Sequence, residues 1–517
     1  MLMSVVLQVN SIYIMNSIYR YYFIGIILIK VCFNQCKNNR SPSLFLMLFP
    51  FIIFTQACSY TSAISDESKH IDVPKHWQTE SSNNSISPKV IHHFDEWVNE
   101  FNDSDLITAI NIALANNNEL KSQSVLVALA KENILVSQAS DFPELSLSAN
   151  NTRSKVITQN VVNYQTTANV RLNLSYEVDL WGALSAQQQQ LQLLYSAAKS
   201  EYQYNKLSLI TRVIKRWYSL VEAQKLLSLF QNRATNLTKN LEMIKSSYQL
   251  GIGDALDVYL TQNNVNSELA GVAQQQQVVT SAARTLEVLL GEYPKGVFDV
   301  DGVLPKINKA LYIDTPTGLL TRRSDIVSSW FELLALDANL AVTHKQRFPK
   351  FALTGNISDS DSKLSDLLNG NTLAWSLIGN LTAPILNGGR LASLEEQARL
   401  QVVKKEQEYL SQVHNAFAEV ENLMSNRKSL LERLKYFQQA EDNALAAKKL
   451  SFEQYMRGLV TYTTVLEAQR RAFDAQTTVI QLTNLLLQNR ADSYLAFGGG
   501  LESTLLVDST RSTLQEQ

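Results

Sequence analysis

Residues 170–182 read Val170-Arg171-Leu172-Asn173-Leu174-Ser175-Tyr176-Glu177-Val178-Asp179-Leu180-Trp181-Gly182. Apolar and polar side chains alternate over the first eleven positions, so an extended strand here has one apolar and one polar face. After Gly182 the pattern changes. No proline occurs until Pro294, and Leu226, Phe230, Leu237, Leu241, Ile244 and Tyr248 follow spacings of three, four or seven, the seam of a helix packed on neighbours. One helix from Ala183 to Leu250 would be about 100 Å long, more than a compact domain of this size holds. Gly251-Ile252-Gly253-Asp254 then reads as a turn, glycine ending one helix and aspartate capping a return helix that runs to about Gly291.

Upstream, Leu145, Leu147 and Ala149 alternate with Ser146, Ser148 and Asn150, a shorter partner strand separated from the first by a polar loop from about Asn151 to Gln165. The same series then recurs. Phe142-Pro143-Glu144-Leu145 returns as Phe348-Pro349-Lys350-Phe351 and Leu180-Trp181-Gly182 as Leu386-Asn387-Gly388, both 206 positions on. Tyr248-Gln249-Leu250-Gly251 returns as Tyr455-Met456-Arg457-Gly458, 207 positions on. The chain therefore reads as two copies of one unit of about 200 residues. In the second copy the strands are Phe351-Ala352-Leu353-Thr354 and a run through Leu373, Trp375, Leu377, Gly379 and Leu381. Its long helix starts at Leu391, passes Phe437, Ala440, Ala444, Ala447 and Tyr455, turns at Arg457-Gly458 and returns to about Ala496. The fold class is mostly α with a small β part, a duplicated strand pair plus long helical hairpin. The longer strand of each pair meets the roughly 9–11 tilted residues of a membrane-spanning strand. A soluble edge hairpin carries the same pattern.

Boundaries follow from composition. Residues 1–57 are a targeting segment, 58–102 a polar linker, 103–300 and 301–499 the two repeats, and 500–517 a tail. Leu44 to Phe54 is an apolar run of signal-peptide length, with Lys37 and Arg40 before it and Ala57-Cys58 after it. A small residue before that cysteine resembles a bacterial lipoprotein processing site, with covalent lipid on Cys58; a plain signal peptide cut near Ala57 is the alternative. Residues 1–36 fit neither, and read as a start assigned too far upstream or as an uncleaved anchor. Gly 18 and Pro 10 in 517 residues are about half their usual share, which favours helix. A formal charge of −2 gives no basic footprint for nucleic acid. His70, His76, His92, His93, His344 and His414 form no metal-ligand spacing, and no nucleophile or phosphate-binding constellation is present, so neither an enzyme nor a cofactor is expected.

These residues together resemble the TolC-like outer-membrane efflux protein family, in particular its lipoprotein branch serving tripartite pumps. Ser175 to Gly182 is similar to that branch's strand-to-helix motif, and Arg322-Arg323-Ser324-Asp325-Ile326 to its Arg-Arg-Pro-Asp-Ile. Leu381 to Arg390, with Pro384, Asn387, Gly388 and Gly389, is similar to its second junction. Four strands cannot close a membrane barrel, and an open edge in lipid leaves backbone groups unpaired. Two chains would give eight strands and three would give twelve. The resemblance implies a homotrimer, with one twelve-stranded outer-membrane β-barrel continued by a periplasmic α-helical barrel. It further implies an exit duct for drugs or other small molecules, fed by a periplasmic adaptor docking near the Gly251 and Gly458 turns and by an inner-membrane transporter of the proton-driven RND type. A type I secretion duct and a lipid-anchored coiled-coil stalk are the competing readings. Copper or silver cargo is less supported, because downstream of Cys58 the methionines are Met243, Met424 and Met456 alone. In the family an acidic ring and a tyrosine-arginine-aspartate link hold the periplasmic tip shut. By motif Tyr455 matches the tyrosine, Asp257 the aspartate and Glu467 an acidic ring position, so Asp257 and Glu467 are expected to crowd negative charge there. Val460 stands at the arginine position and Thr464 at the other acidic one. Leu459 and Tyr462 either narrow the tip or pack the turn.

Overall fold

The computed structural model describes residues 62–64, 73–74, 76–79, 97–158, 161–298, 300, 303–306, 315–363, 365, 367 and 372–499. Cys58, the apolar run before it and the tail 500–517 lie outside the described residues. Strands β1 (Glu144–Thr158), β2 (Val161–Val178), β3 (Lys350–Asp361) and β4 (Ala374–Thr382) alternate with helices. These are α1 (Ser104–Asn116), α2 (Asn118–Ala139), α3 (Ala183–Gln249), α4 (Ala255–Leu289), α5 (Pro316–Arg322), α6 (Ser324–Lys345), α7 (Arg390–Met456) and α8 (Tyr462–Ala496). The chain divides into two compact units, each drawing on both repeats. One holds 140–187 and 337–400 with the described residues before 65; the other holds 65–139, 188–336 and 401–499.

In the first unit the strand pairs of the two repeats join one antiparallel sheet in the order β1-β2-β3-β4. Register sorts the side chains by polarity. Leu145, Leu174, Gly355 and Leu377 form one row across all four strands, and Leu147, Leu172, Ile357 and Trp375 the next row on the same face. Between them, on the opposite face, runs Ser146, Asn173, Asn356 and Ser376, where Asn356 Nδ2 donates to Ser376 Oγ at 2.7 Å. Expected as a loop, residues 151–158 and 161–165 are instead strand, with Asn151 opposite Ala168 and Lys155 opposite Tyr164. The ladder hydrogen-bonds backbone to backbone whatever the side chains, so it continues where alternation, the sequence signal for a strand, has stopped.

The second unit is helical. Helices α3 and α7 are single helices of 67 residues each, and α4 and α8 return with 35 each. Its main core gathers Phe101, Leu106, Ile110, Ile210, Ile214, Tyr218 and Leu286. Asp103 caps α1 by accepting from Leu106 N at 3.0 Å, and its other oxygen accepts from the Trp217 indole at 2.9 Å. Parts of the stretch expected to be a polar linker are packed here. Trp97 stacks on Tyr494 at 4.5 Å between centroids, and Trp77 meets Phe417 and Phe497 edge-on. Glu100 accepts from buried Arg490 at 2.5 Å. A lone tryptophan in polar sequence has no periodicity by which to announce itself, yet it buries more apolar area than several smaller residues.

Candidate functional site

Three constellations carry the residues singled out from the sequence: the strand-to-helix junctions, the Arg-Arg-Ser-Asp-Ile corner and the hairpin turns. At the first junction Asp179 works as a helix cap, its carboxylate accepting from Leu184 N at 3.1 Å, Ser185 N at 2.9 Å and Ser185 Oγ at 2.8 Å. Gly182 turns the chain with φ at 75°, a conformation that costs a side-chain-bearing residue steric strain. Its carbonyl accepts from Lys345 Nζ at 3.0 Å, while the Trp181 indole donates to Pro349 O at 2.6 Å. At the second junction Gly388 and Gly389 take φ of 60° and 82°, and Ser393 N donates to Gly389 O at 3.0 Å as α7 begins. Pro384, Ile385 and Leu386 just before them are exposed.

At the α5–α6 corner Arg323 is 6% exposed. It donates through Nε and Nη2 to the two oxygens of Asp325 at 3.0 and 2.9 Å, and through Nη1 to Glu419 on α7 at 2.5 Å. A planar guanidinium makes this bidentate grip where a lysine has no matching geometry.

The hairpin turns share their closing backbone bonds. Ile252 N donates to Ser247 O and Leu459 N to Gln454 O, each closing a helix end around a glycine, Gly251 at φ 75° and Gly458 at φ 72°. Asp254 caps α4 by accepting from Leu256 N at 2.9 Å. Behind the turns Ile244, Val258, Phe452, Tyr455, Tyr462, Val465 and Leu466 pack into one cluster drawn from α3, α4, α7 and α8. Tyr455 Oη donates to Asp257 Oδ2 at 3.3 Å, bringing together the tyrosine and aspartate matched from different repeats. Burial first, and then the Asp257 carboxylate, push the Tyr455 phenol up to about 12. Tyr462 is wholly buried with its ring 5.1 Å from that of Tyr455, so it packs the turn; its hydroxyl sits by Asn240 and Thr261 without a well-formed hydrogen bond. Leu459 and Thr464 are exposed and Val460 is half-buried.

Glu467 differs from the bare acid expected of it. Arg470 grips it with Nε and Nη2 at 3.0 and 2.9 Å, and Arg471 Nε adds a contact at 2.8 Å. The two guanidiniums hold its carboxyl below the usual range, and its charge is compensated on its own helix. Spacings of three and four residues in the sequence carry that signal. Among the described residues no group of His, Cys, Asp and Glu is placed to hold a metal.

A family model described as outer membrane efflux protein matches residues 109–292 and 316–499, one stretch in each repeat. The protein described as probable outer membrane lipoprotein SilC of Salmonella typhimurium is 26% identical over 443 residues, 85% of this chain and 95% of its own. The solvent efflux pump outer membrane protein SrpC of Pseudomonas putida is 28% identical over 77% of this chain and 86% of its own. The cation efflux system protein CusC of Escherichia coli K12 is 24% identical over 88% and 99%. A solved structure of CusC, at 23% identity, has the same fold with a TM-score of 0.71, covering 83% of this chain and 97% of that one. With both repeats matched, the chain belongs to the outer membrane efflux protein family and is an efflux channel of the outer membrane.

Proposed function

We propose that the protein is the exit duct of a tripartite pump, working as a homotrimer that closes a twelve-stranded barrel. It passes small molecules outward without chemistry or an energy source of its own. The observation that carries this reading is the sheet. In the rows from Leu172–Ile357 to Val178–Phe351 the strands sort their residues into an apolar and a polar face, as a wall between lipid and water must, while Asp359 and Asp361 stand beyond them on the apolar side; the sheet ends on two open outer strands, β1 and β4. From Val170 to Val178 the apolar face of β2 covers nine residues, the length of a tilted membrane-spanning strand. Such a sheet is stable in lipid only when further copies pair its edges. A coiled-coil stalk has no use for it.

The partners in this reading are a periplasmic adaptor, docking at the exposed apolar residues Leu250, Ile252, Tyr259 and Leu459 around the turns, and an inner-membrane transporter of the RND type. The Tyr455–Asp257 bond and the buried Tyr462 hold the turns closed. Lipid on Cys58 anchors the chain; the apolar run before Ala57-Cys58 supports it, as does the description of SilC as a lipoprotein. The relatives' names divide between solvents and cations, and the sparse methionine favours organic cargo over soft metals. Purified in detergent, the protein is expected to run as a heat-sensitive trimer, to conduct ions across a planar bilayer, and to carry diacylglyceryl mass on its first mature residue. A monomer that does not conduct refutes the duct. An unmodified amino terminus refutes the lipid anchor alone.

A further inference from the structure

Past its apolar rows, the same face of the β1–β2 pair turns basic. The last apolar row on these two strands is Ala149 with Val170, and the rows beyond it are Asn151 with Ala168, Arg153 with Thr166 and Lys155 with Tyr164. β3 accompanies β2 only as far as Ala168, so Arg153, Lys155 and Tyr164 sit on a two-stranded ribbon that runs on past the four-stranded sheet. Arg153 and Lys155 are exposed, Tyr164 is 64% exposed, and the Arg153 guanidinium lies 5.5 Å from the centre of the Tyr164 ring. Among the described residues neither cation is paired with a carboxylate.

We propose that Arg153 and Lys155, with Tyr164 beside them, hold a phosphate group of a glycolipid in the outer leaflet of the outer membrane. This rests on the duct reading above, in which the apolar face of the sheet meets lipid. The chain enters β1 from α2 and leaves β2 for α3 at the other end of the strand pair, so the ribbon is the end far from the helices and, in that reading, the cell-exterior end. Arg153 and Lys155 stand four and six residues past Ala149, about 14 and 20 Å along strands tilted by about 45°, and so about 10 and 14 Å further along the membrane normal. A lipid-facing cation is costly at the bilayer midplane and nearly free at the interface. The pair therefore marks where hydrocarbon ends, and Ile157 and Val162, one row on, stand beyond it. Tyrosine belongs at the same level, in the aromatic girdle of a barrel. The anions within reach there are headgroup phosphates, which a guanidinium meets with two parallel hydrogen bonds and an ammonium meets as a point charge. A zwitterionic headgroup brings its own cation with each phosphate, whereas a phosphorylated sugar brings none. On β3 the same face carries Asp359 opposite Val170 and Asp361 opposite Ala168. Asp359 is buried and accepts from Thr372, and β3 lies two strand spacings, about 10 Å, from β1. The two acids repel phosphate from the β3 side and confine it to the ribbon.

The test uses the full-length protein, freed of native lipid in a neutral detergent, and counts bound lipid by native mass spectrometry. Diphosphoryl lipid A is the probe, with phosphatidylcholine and phosphatidylglycerol as competitors. Wild type is expected to retain lipid A in preference to both. Arg153→Gln and Lys155→Gln are each expected to weaken retention about 5-fold, and the two together about 30-fold. Arg171→Gln removes the same charge from the opposite face of β2, where Arg171 pairs with Ser148 and Ser358, and is expected to leave retention unchanged. The exchange Arg153→Lys with Lys155→Arg keeps both charges and is expected to keep most of the retention. If the double glutamine variant fails to assemble, the two single variants carry the comparison. Equal retention by wild type and the glutamine variants overturns the site, and so does an equal loss in Arg171→Gln. Phosphatidylglycerol held as well as lipid A overturns the assignment to a glycolipid. An oligomer that conducts ions but shows no lipid preference overturns the site and leaves the duct standing; a monomer that does not conduct overturns the duct.

Discussion

Tyr455→Phe removes one hydrogen bond from the turn region and nothing else, which makes it the cleanest probe of whether that region is a latch. The bond runs from a phenol to the Asp257 carboxylate at 3.3 Å. A charged acceptor would strengthen it, but the length places it with ordinary bonds, worth about 0.5–1.5 kcal/mol net. If opening breaks the bond, its loss raises the open-to-closed ratio about 2- to 13-fold. Asp257→Ala removes the same bond and also an acid from the first turn of α4, where the helix dipole adds about 0.3–1 kcal/mol. If opening also frays that first turn, the combined expectation is about 4- to 70-fold; if it does not, Asp257→Ala matches Tyr455→Phe. Tyr462→Ala is a different kind of change. It empties a wholly buried aromatic site at a cost of about 3–5 kcal/mol, which shifts the ratio by more than about 100-fold if the cluster comes apart on opening. The order is therefore Tyr455→Phe, then Asp257→Ala, then Tyr462→Ala. Single-channel recording in planar bilayers reads it as open fraction, with wild type and each variant at low and at about 1 M salt. At about 1 M the Debye length is about 3 Å, so the dipole contribution fades and the first two variants converge. Open fractions equal to wild type for both Tyr455→Phe and Asp257→Ala, at either salt, refute the latch. A small effect of Tyr462→Ala against large effects of the other two refutes the assignment of closure to packing.

Two further outcomes follow from the same geometry. Arg323→Met leaves the Asp325 carboxylate buried without its bidentate partner, a loss of about 3–5 kcal/mol read by thermal unfolding in detergent, and Asp325→Asn in the same chain is expected to recover part of it; an unchanged midpoint for Arg323→Met refutes the role given to the corner. The Tyr455 phenol holds its proton to about 12 where an unfolded tyrosine releases it near 10, so the folded turn binds the extra proton between those values. Its contribution to stability is whole below about pH 10 and is lost as pH rises towards 12, which ultraviolet titration of phenolate alongside hydrogen exchange of the turn amides would follow; exchange that is flat across that window counts against it.

The elements legible in the sequence were those marked by local chemistry. Gly251, Gly458 and the capping Asp254 stop and restart helices through their own backbone requirements, so the turns fall where they are read, and the long runs without proline became single helices. What local signals could not show was set by neighbours distant in sequence. Residues 151–158 are strand because β2 lies alongside, although their own side chains give no alternation. Trp77 finds its site between Phe417 and Phe497, more than three hundred residues on. Glu467 shows a different limit. Arg470 and Arg471 stand three and four residues away in plain view, but a role transferred one position at a time takes the acid without its helix. A ring built from this residue carries each negative charge already matched by two guanidiniums, one of them shared with Asp474. The cation attraction expected of bare acids does not follow for such a ring, and the proposed closure of this turn region then rests on one phenol–carboxylate bond and a buried tyrosine.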